Sequence, residues 1–148
     1  MQDVKFTQDK YGRFDFDIVD GDLGGEDGYD TAIWISLFTD ARADSSQVPI
    51  PEYRRGWLGN TVSIVPDRQL GGYLWLVDQR RLVQKTLNES KDYTKKALQP
   101  MVDDGICTEI TVNGTIVPKT GIELNVNIIS TIGVISTKNI KLWELTGR

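Results

Sequence analysis

The chain is expected to fold as an α+β protein built mainly on an antiparallel sheet, with an N-terminal hairpin, two main helices and C-terminal strands. Three observations point there. Apolar residues alternate with polar ones at both ends of the chain, which is the period of a half-buried strand. Two stretches between them repeat at helical spacing. Strands and helices are therefore segregated along the chain rather than alternating, as in α+β folds.

The first element reads as a hairpin. Phe14, Phe16 and Ile18 alternate with Asp15 and Asp17. Val4 and Phe6 suggest the partner strand, with Tyr11-Gly12 as the turn. An acidic, glycine-rich loop follows over residues 20–28. The first helix is expected from Ile33, Trp34, Leu37, Phe38 and Ala41, which share one broad face. Asp27 and Asp30 stand before it as capping candidates and complement the positive end of its dipole. Residues 44–70 have little periodicity and contain Pro49, Pro51, Gly56, Gly59 and Pro66. They read as a long irregular excursion, a feature compact domains rarely carry without a use for it. Trp57 and Leu58 in its middle suggest packing onto the body or onto a partner.

The run Tyr73 to Val77 is equally compatible with a helical turn and a buried strand. Residues 80–103 read as helix, with a possible break near Asn88. Leu87, Thr94, Ala97 and Met101 form its apolar stripe, and Pro100 is expected to bend it before Asp103-Asp104-Gly105 ends it. Ile106, Thr108, Ile110 and Val112 then alternate up to Asn113-Gly114, the dipeptide most typical of a hairpin turn, and Thr115 to Val117 is expected to return. Ile122, Leu124, Val126 and Ile128 alternate with Glu123, Asn125 and Asn127, and a terminal strand is expected over 140–145.

Composition removes several functions. The chain has 148 residues, the length of one domain, so a single domain over 1–148 is expected. Lys and Arg total 17 against 21 Asp and Glu, a net charge of -4, which disfavours nucleic acid as a partner. No apolar run approaches the roughly 20 residues of a membrane span, and the N-terminus lacks the pattern of a secretory signal. Synthesis and folding in a cytoplasm are expected, with no membrane partner. There is no histidine, which excludes His-dependent triads and most catalytic zinc sites. The single Cys107 can form neither an internal disulfide nor a metal cage.

The remaining motifs are better explained by structure than by chemistry. The acidic loop fits the calcium pattern of an EF-hand in neither register, starting at Asp15 or at Asp20. Gly71-Gly72 lacks the spacing of a phosphate loop. A hydrolase using a Glu/Asp pair needs one acid of raised pKa facing an ionised partner across a cleft, and no pattern marks such a pair. No catalytic residue, metal ligand or cofactor is therefore assigned. Arg54-Arg55 and Arg80-Arg81 suit acidic patches on a protein partner. Trp34 and Trp75 sit in apolar runs and read as core. Trp57 and Trp143 are better candidates for interface anchors.

Four segments in order resemble the Mu-like family of phage tail baseplate proteins, relatives of the wedge protein that initiates the sheath of contractile tails. They are VDGDLGGEDGYDTAIWISLFTDARA (19–43), RRGWLGN (54–60), GGYLWLVDQRR (71–81) and YTKKALQPMVDDGI (93–106). The Glu-Pro-Arg motif that often follows the long helix in the broader superfamily is replaced here by Val102-Asp103-Asp104-Gly105. The resemblance implies a non-enzymatic baseplate wedge subunit in the virion. It would help start sheath assembly through strand contacts, with several copies per baseplate, six being expected. It implies a sheath-binding set of Ile122, Leu124, Val126, Ile128, Ile140, Leu142 and Trp143. For wedge and hub proteins it implies Arg42, Arg54, Arg55, Trp57, Asp103 and Asp104. The alternative is a peptidoglycan-cleaving, lysozyme-like tail hydrolase, a label some relatives have carried.

Overall fold

A computed structural model of the chain describes residues 3–9, 11, 13–26, 29–78, 80–131 and 133–142. Gly12 of the expected turn, the capping candidate Asp27, and Trp143 with the rest of the expected terminal strand lie outside them. The fold is α+β, with two α-helices and only antiparallel strand pairs in sheets among the described residues.

The N-terminal segment forms three two-stranded ribbons rather than one hairpin and a loop. Asp3–Val4 (β1) pairs with Gly25–Glu26 (β6), Phe6–Gln8 (β2) with Phe14–Phe16 (β3), and Ile18–Val19 (β4) with Asp22–Leu23 (β5). The ribbons meet at a closed ring of three backbone hydrogen bonds. Lys5 N–H donates to Gly24, Gly24 N–H to Asp17, and Asp17 N–H back to Lys5, at 2.8, 2.6 and 3.0 Å. The Lys5–Asp17 ion pair at 2.8 Å braces the same node. The expected pairing of Phe6 with the Phe14–Phe16 strand is therefore present, but the strand is not half-buried: Phe14, Phe16 and Ile18 are all exposed.

Asp30–Phe38 (α1) buries Ile33, Trp34 and Leu37. Ala41 is buried beyond its end. Asp30 is the first helical residue and makes no cap; its carboxylate instead takes Lys138 as an ion-pair partner. After α1 the chain runs beside its own later segment. Ala41 N–H donates to Gly72 and Gly72 N–H to Thr39, at 3.0 and 2.9 Å. A Cβ at Gly71 would lie 2.5 Å from the Thr39 carbonyl oxygen, so Gly71 is required by this close approach. The apolar run at 73–77 resolves as a 3-10 turn, Leu74–Val77.

Gln84–Asp103 (α2) is one continuous helix of 20 residues with no break at Asn88. Leu87, Thr94, Ala97 and Met101 are buried as expected, joined by Thr86, Ser90 and Leu98. The buried hydroxyls are satisfied along the helix: Ser90 Oγ donates to the Thr86 carbonyl and Thr94 Oγ1 to that of Ser90, both at 2.8 Å. The helix ends in a Schellman arrangement. Gly105, at φ +73°, donates to Val102, and Ile106 donates to Met101, each at 3.0 Å.

Glu109–Val117 (β7), Gly121–Ser130 (β8) and Gly133–Leu142 (β9) form a three-stranded sheet in that order. The expected turn at Asn113-Gly114 is not there. Both residues lie inside β7, opposite Asn125 and Leu124. The turn comes five residues later, where Thr120 N–H donates to Val117 across Pro118 and Lys119, the latter at φ +65°. One sheet face carries Val112, Ile122, Leu124, Val126, Ile128, Ile140 and Leu142 into a core shared with α1, α2 and Leu74–Val77. The register aligns the opposite face into polar rows, Asn113–Asn125–Asn139 and Thr111–Asn127–Thr137.

Candidate functional site

The residues expected to meet a sheath protein are placed where side chains cannot do so. Ile122, Leu124, Val126 and Ile128 lie on β8, and each is at most 1% exposed. β8 is also the central strand, so β7 and β9 occupy both of its backbone edges. Ile140 and Leu142 point into the same core from β9. The alternation of 122–128 reflects a buried face, and the strand order leaves that strand no free edge for the expected sheath contact. Trp143 lies outside the described residues.

What β9 offers instead is its backbone. The Gln8 side-chain amide bonds both the N–H and the C=O of Lys141, each at 3.5 Å. The Lys141 main chain therefore faces away from β8. Backbone direction alternates along a strand, so Asn139 and Thr137 face outward too. Among the described residues no strand pairs with this edge.

The other expected set divides into two groups. Arg42, Arg54 and Arg55 are internal braces of the 40–60 loop. Arg42 donates to the carbonyls of Arg55 and Pro51. Arg54 donates to Val48 at 2.7 Å and to Pro49 at 2.9 Å. Arg55 pairs with Asp40 at 3.0 Å and lies 4.8 Å over the Trp75 ring. Trp75 is fixed in turn by its Nε1–H donating to Ala41 at 3.0 Å. These guanidiniums tie down a segment with few backbone bonds of its own, and their charge is partly spent internally.

Trp57 and Asp104 border a groove, and Asp103 lines the adjoining cleft on the far side of Arg68. The loop from Trp57 to Gly71 lies against the Ala32–Ser36 side of α1 and the end of α2, enclosing about 500 Å³. Asp104 holds the loop to the helix through Arg68, and Asn60 clasps Leu70, accepting at 2.9 Å and donating at 2.8 Å. The walls include Val62, Ile64, Val65, Met101 and Ile106. Trp57 is half exposed, and Ile64 almost completely so. The loop and the helix end thus form one apolar surface. Val62, Ile64 and Arg68 escaped the sequence reading because nothing periodic marks them.

Among the described residues, two carboxyls are displaced from their ordinary values, and both lie lower. Desolvation pushes Asp9 up, but hydrogen bonds from the Arg13 N–H and guanidinium and from the Tyr11 N–H together outweigh it. The Ser46 hydroxyl and the N–H groups of Gln47 and Ser46 hold Asp44 down. Neither is the raised acid a hydrolase requires. Among the described residues no group of acids and Cys could hold a metal, and no helix is long and apolar enough to cross a membrane.

A family model described as "Phage protein GP46" matches residues 29–134, from the start of α1 to the start of β9. The chain belongs to this phage GP46 family. Its similarity to "Baseplate protein gp46" of Escherichia phage Mu is 36% identity over 93 residues, 62% of this chain and 62% of that protein. To "Mu-like prophage FluMu protein gp46" of Haemophilus influenzae it is 32% over 87 residues, 59% and 57% of the two chains. The chain thus matches about three fifths of the length of these relatives. The resemblance to Mu-like baseplate proteins rests on this family membership. The GP46 match takes in α1, the braced loop, the groove, α2 and most of the sheet, and begins after the three ribbons.

Proposed function

We propose that this GP46-family chain is a structural subunit of a phage tail baseplate, acting as a single domain in the virion after synthesis in the host cytoplasm. In finer detail, it is a wedge subunit of a contractile tail, present in several copies, six being expected. The outer edge of β9 starts sheath assembly by accepting a strand of the sheath protein, and the groove along Trp57 and Asp104, with Asp103 in the cleft beside it, meets wedge or hub proteins. The supporting observation is the outward main chain of Thr137 and Asn139 on an outer strand, the geometry strand addition uses. β9 is favoured over β7 because α2 packs mainly against β7.

The test is co-purification with the cognate sheath protein. Asn139→Pro removes an outward N–H and leaves the bonds to β8 in place. The variant is expected to stay folded by circular dichroism and lose sheath binding. Unchanged binding would move the contact to the groove. A sheath protein that binds neither form would remove the sheath-initiating role.

A further inference from the structure

The β4–β5 ribbon leaves the body of the protein with an apolar face uncovered. Phe14, Phe16 and Ile18 share one face of the strand. Phe14 is 37% exposed and packs 5.1 Å from Trp34 and 4.8 Å from Phe38. Phe16 is 50% exposed beside Phe6, and Ile18 is 69% exposed. The face therefore emerges residue by residue. At its end Ile18 stands directly opposite Leu23, itself exposed. Asp20 and Gly21 turn the chain with φ of +53° and +84°, the two positive values of a tight type I′ hairpin. No atom approaches within 4 Å of the space beside Gly21.

A two-stranded ribbon this short has marginal stability by itself. Here its base is fixed by the three-bond ring at Lys5, Asp17 and Gly24. Its tip is thus held in one direction while Ile18 and Leu23 stay 69% and 54% exposed. Charge adds a second constraint. Asp17 is neutralised by Lys5. Asp15, Asp20 and Asp22 have no cation partner among the described residues. An acidic tip disfavours anionic membranes and nucleic acid alike.

We propose that this ribbon is a docking arm. It inserts Ile18 and Leu23 into an apolar cleft of another protein whose rim carries Lys or Arg side chains facing Asp15, Asp20 and Asp22. The arm precedes the residues matched by the GP46 family model. Only the search for its partner among tail proteins rests on the baseplate reading.

The test replaces Leu23 with photoreactive p-benzoylphenylalanine in the full chain. The chain is expressed in host cells making the complete set of tail proteins and irradiated there, and tails are then purified. A cross-link to another tail protein is expected, at a peptide with apolar residues flanked by Lys or Arg. The same probe in an Ile18→Ser, Asp20→Asn, Asp22→Asn background should give at least tenfold less product. Asn-Gly keeps the turn, and circular dichroism checks the fold. No product in cells, a product only with a second copy of this chain, or an unchanged yield in the triple background would overturn the arm. Absence of the chain from purified tails, with the cross-link present in cells, would instead overturn the baseplate reading.

Discussion

Gly114 of β7 lies directly beneath Leu87 of α2. A Cβ built on Gly114 would stand 2.8 Å from Leu87 Cδ1 and 2.7 Å from Leu124 Cδ2. The missing side chain is what lets the helix settle onto the sheet. Gly114→Val should therefore destabilise the fold by about 1–3 kcal/mol through overpacking. Lys119→Gly should have the opposite sign. It relieves a left-handed residue at a cost of about 1–2 kcal/mol, against roughly 0.4–1 kcal/mol of added unfolded-chain entropy. Urea unfolding of the two variants measures both. A neutral Gly114→Val would mean that α2 does not rest where this contact places it.

These two positions also show what was legible from residues alone. Asn113-Gly114 carries the signature of a turn, yet the glycine serves a contact with a helix some 27 positions away, and no local pattern reports that. The real turn has Pro118 as its only signal, since lysine at positive φ is uncommon. The alternation of Ile122, Leu124, Val126 and Ile128 correctly marks a strand with one buried face. Alternation says nothing about which strands flank it, so a central strand and an edge strand read alike. The same limit applies to Phe14, Phe16 and Ile18, whose face is apolar but uncovered. Arg42, Arg54 and Arg55 look like surface charges because their acceptors are main-chain carbonyls, which every residue has. The helices and their buried stripes were legible because packing against a core repeats at helical spacing.

The ion pair between Asp30 and Lys138 joins the start of α1 to β9, with the Lys138 side chain only 18% exposed. Ser136 adds a hydroxyl contact to the same carboxylate at 3.3 Å. Removing one partner leaves a partly buried charge without compensation. Lys138→Met should cost about 1–2 kcal/mol, below the range for fully buried pairs because both groups keep some water. Combining it with Asp30→Asn should cost less than the sum of the two single changes. Additive losses in this double-mutant cycle would show that the pair contributes nothing.

Arg54 holds the 44–60 loop through two main-chain carbonyls, and Asp44 holds its first turn through Ser46 and Gln47. Arg54→Ala should speed amide exchange across 44–60 while leaving α2 unchanged. The Asp44 contribution should depend on pH in one direction. Its carboxyl is depressed below 3.8 in the folded chain. The contribution is therefore complete above the unfolded value and is lost as pH falls through the lower folded one. Asp44→Asn should accordingly weaken the turn at pH 7 and make progressively less difference as pH falls below 3.8 and through the lower folded value, read by exchange of the Ser46 and Gln47 amides. An effect that does not change with pH would separate the turn from the charge of Asp44.

Cys107 follows the end of α2, where its N–H donates to Met101 at 3.3 Å, and it is buried in the core. Desolvation raises its thiol above the ordinary value of 9.0. The reactive thiolate is thus scarce at neutral pH, and the sulfur is also shielded. A disulfide reagent such as DTNB should react with the native chain at pH 8 at least a hundredfold more slowly than with the chain in denaturant, where one thiol should titrate. Raising the pH should speed the native reaction only where the fold itself opens, because deprotonation favours the unfolded chain. Gly114→Val should therefore accelerate labelling of Cys107 in native buffer, linking thiol exposure to the packing of α2 on β7. Fast labelling of the unaltered chain would show that the end of α2 is open in solution.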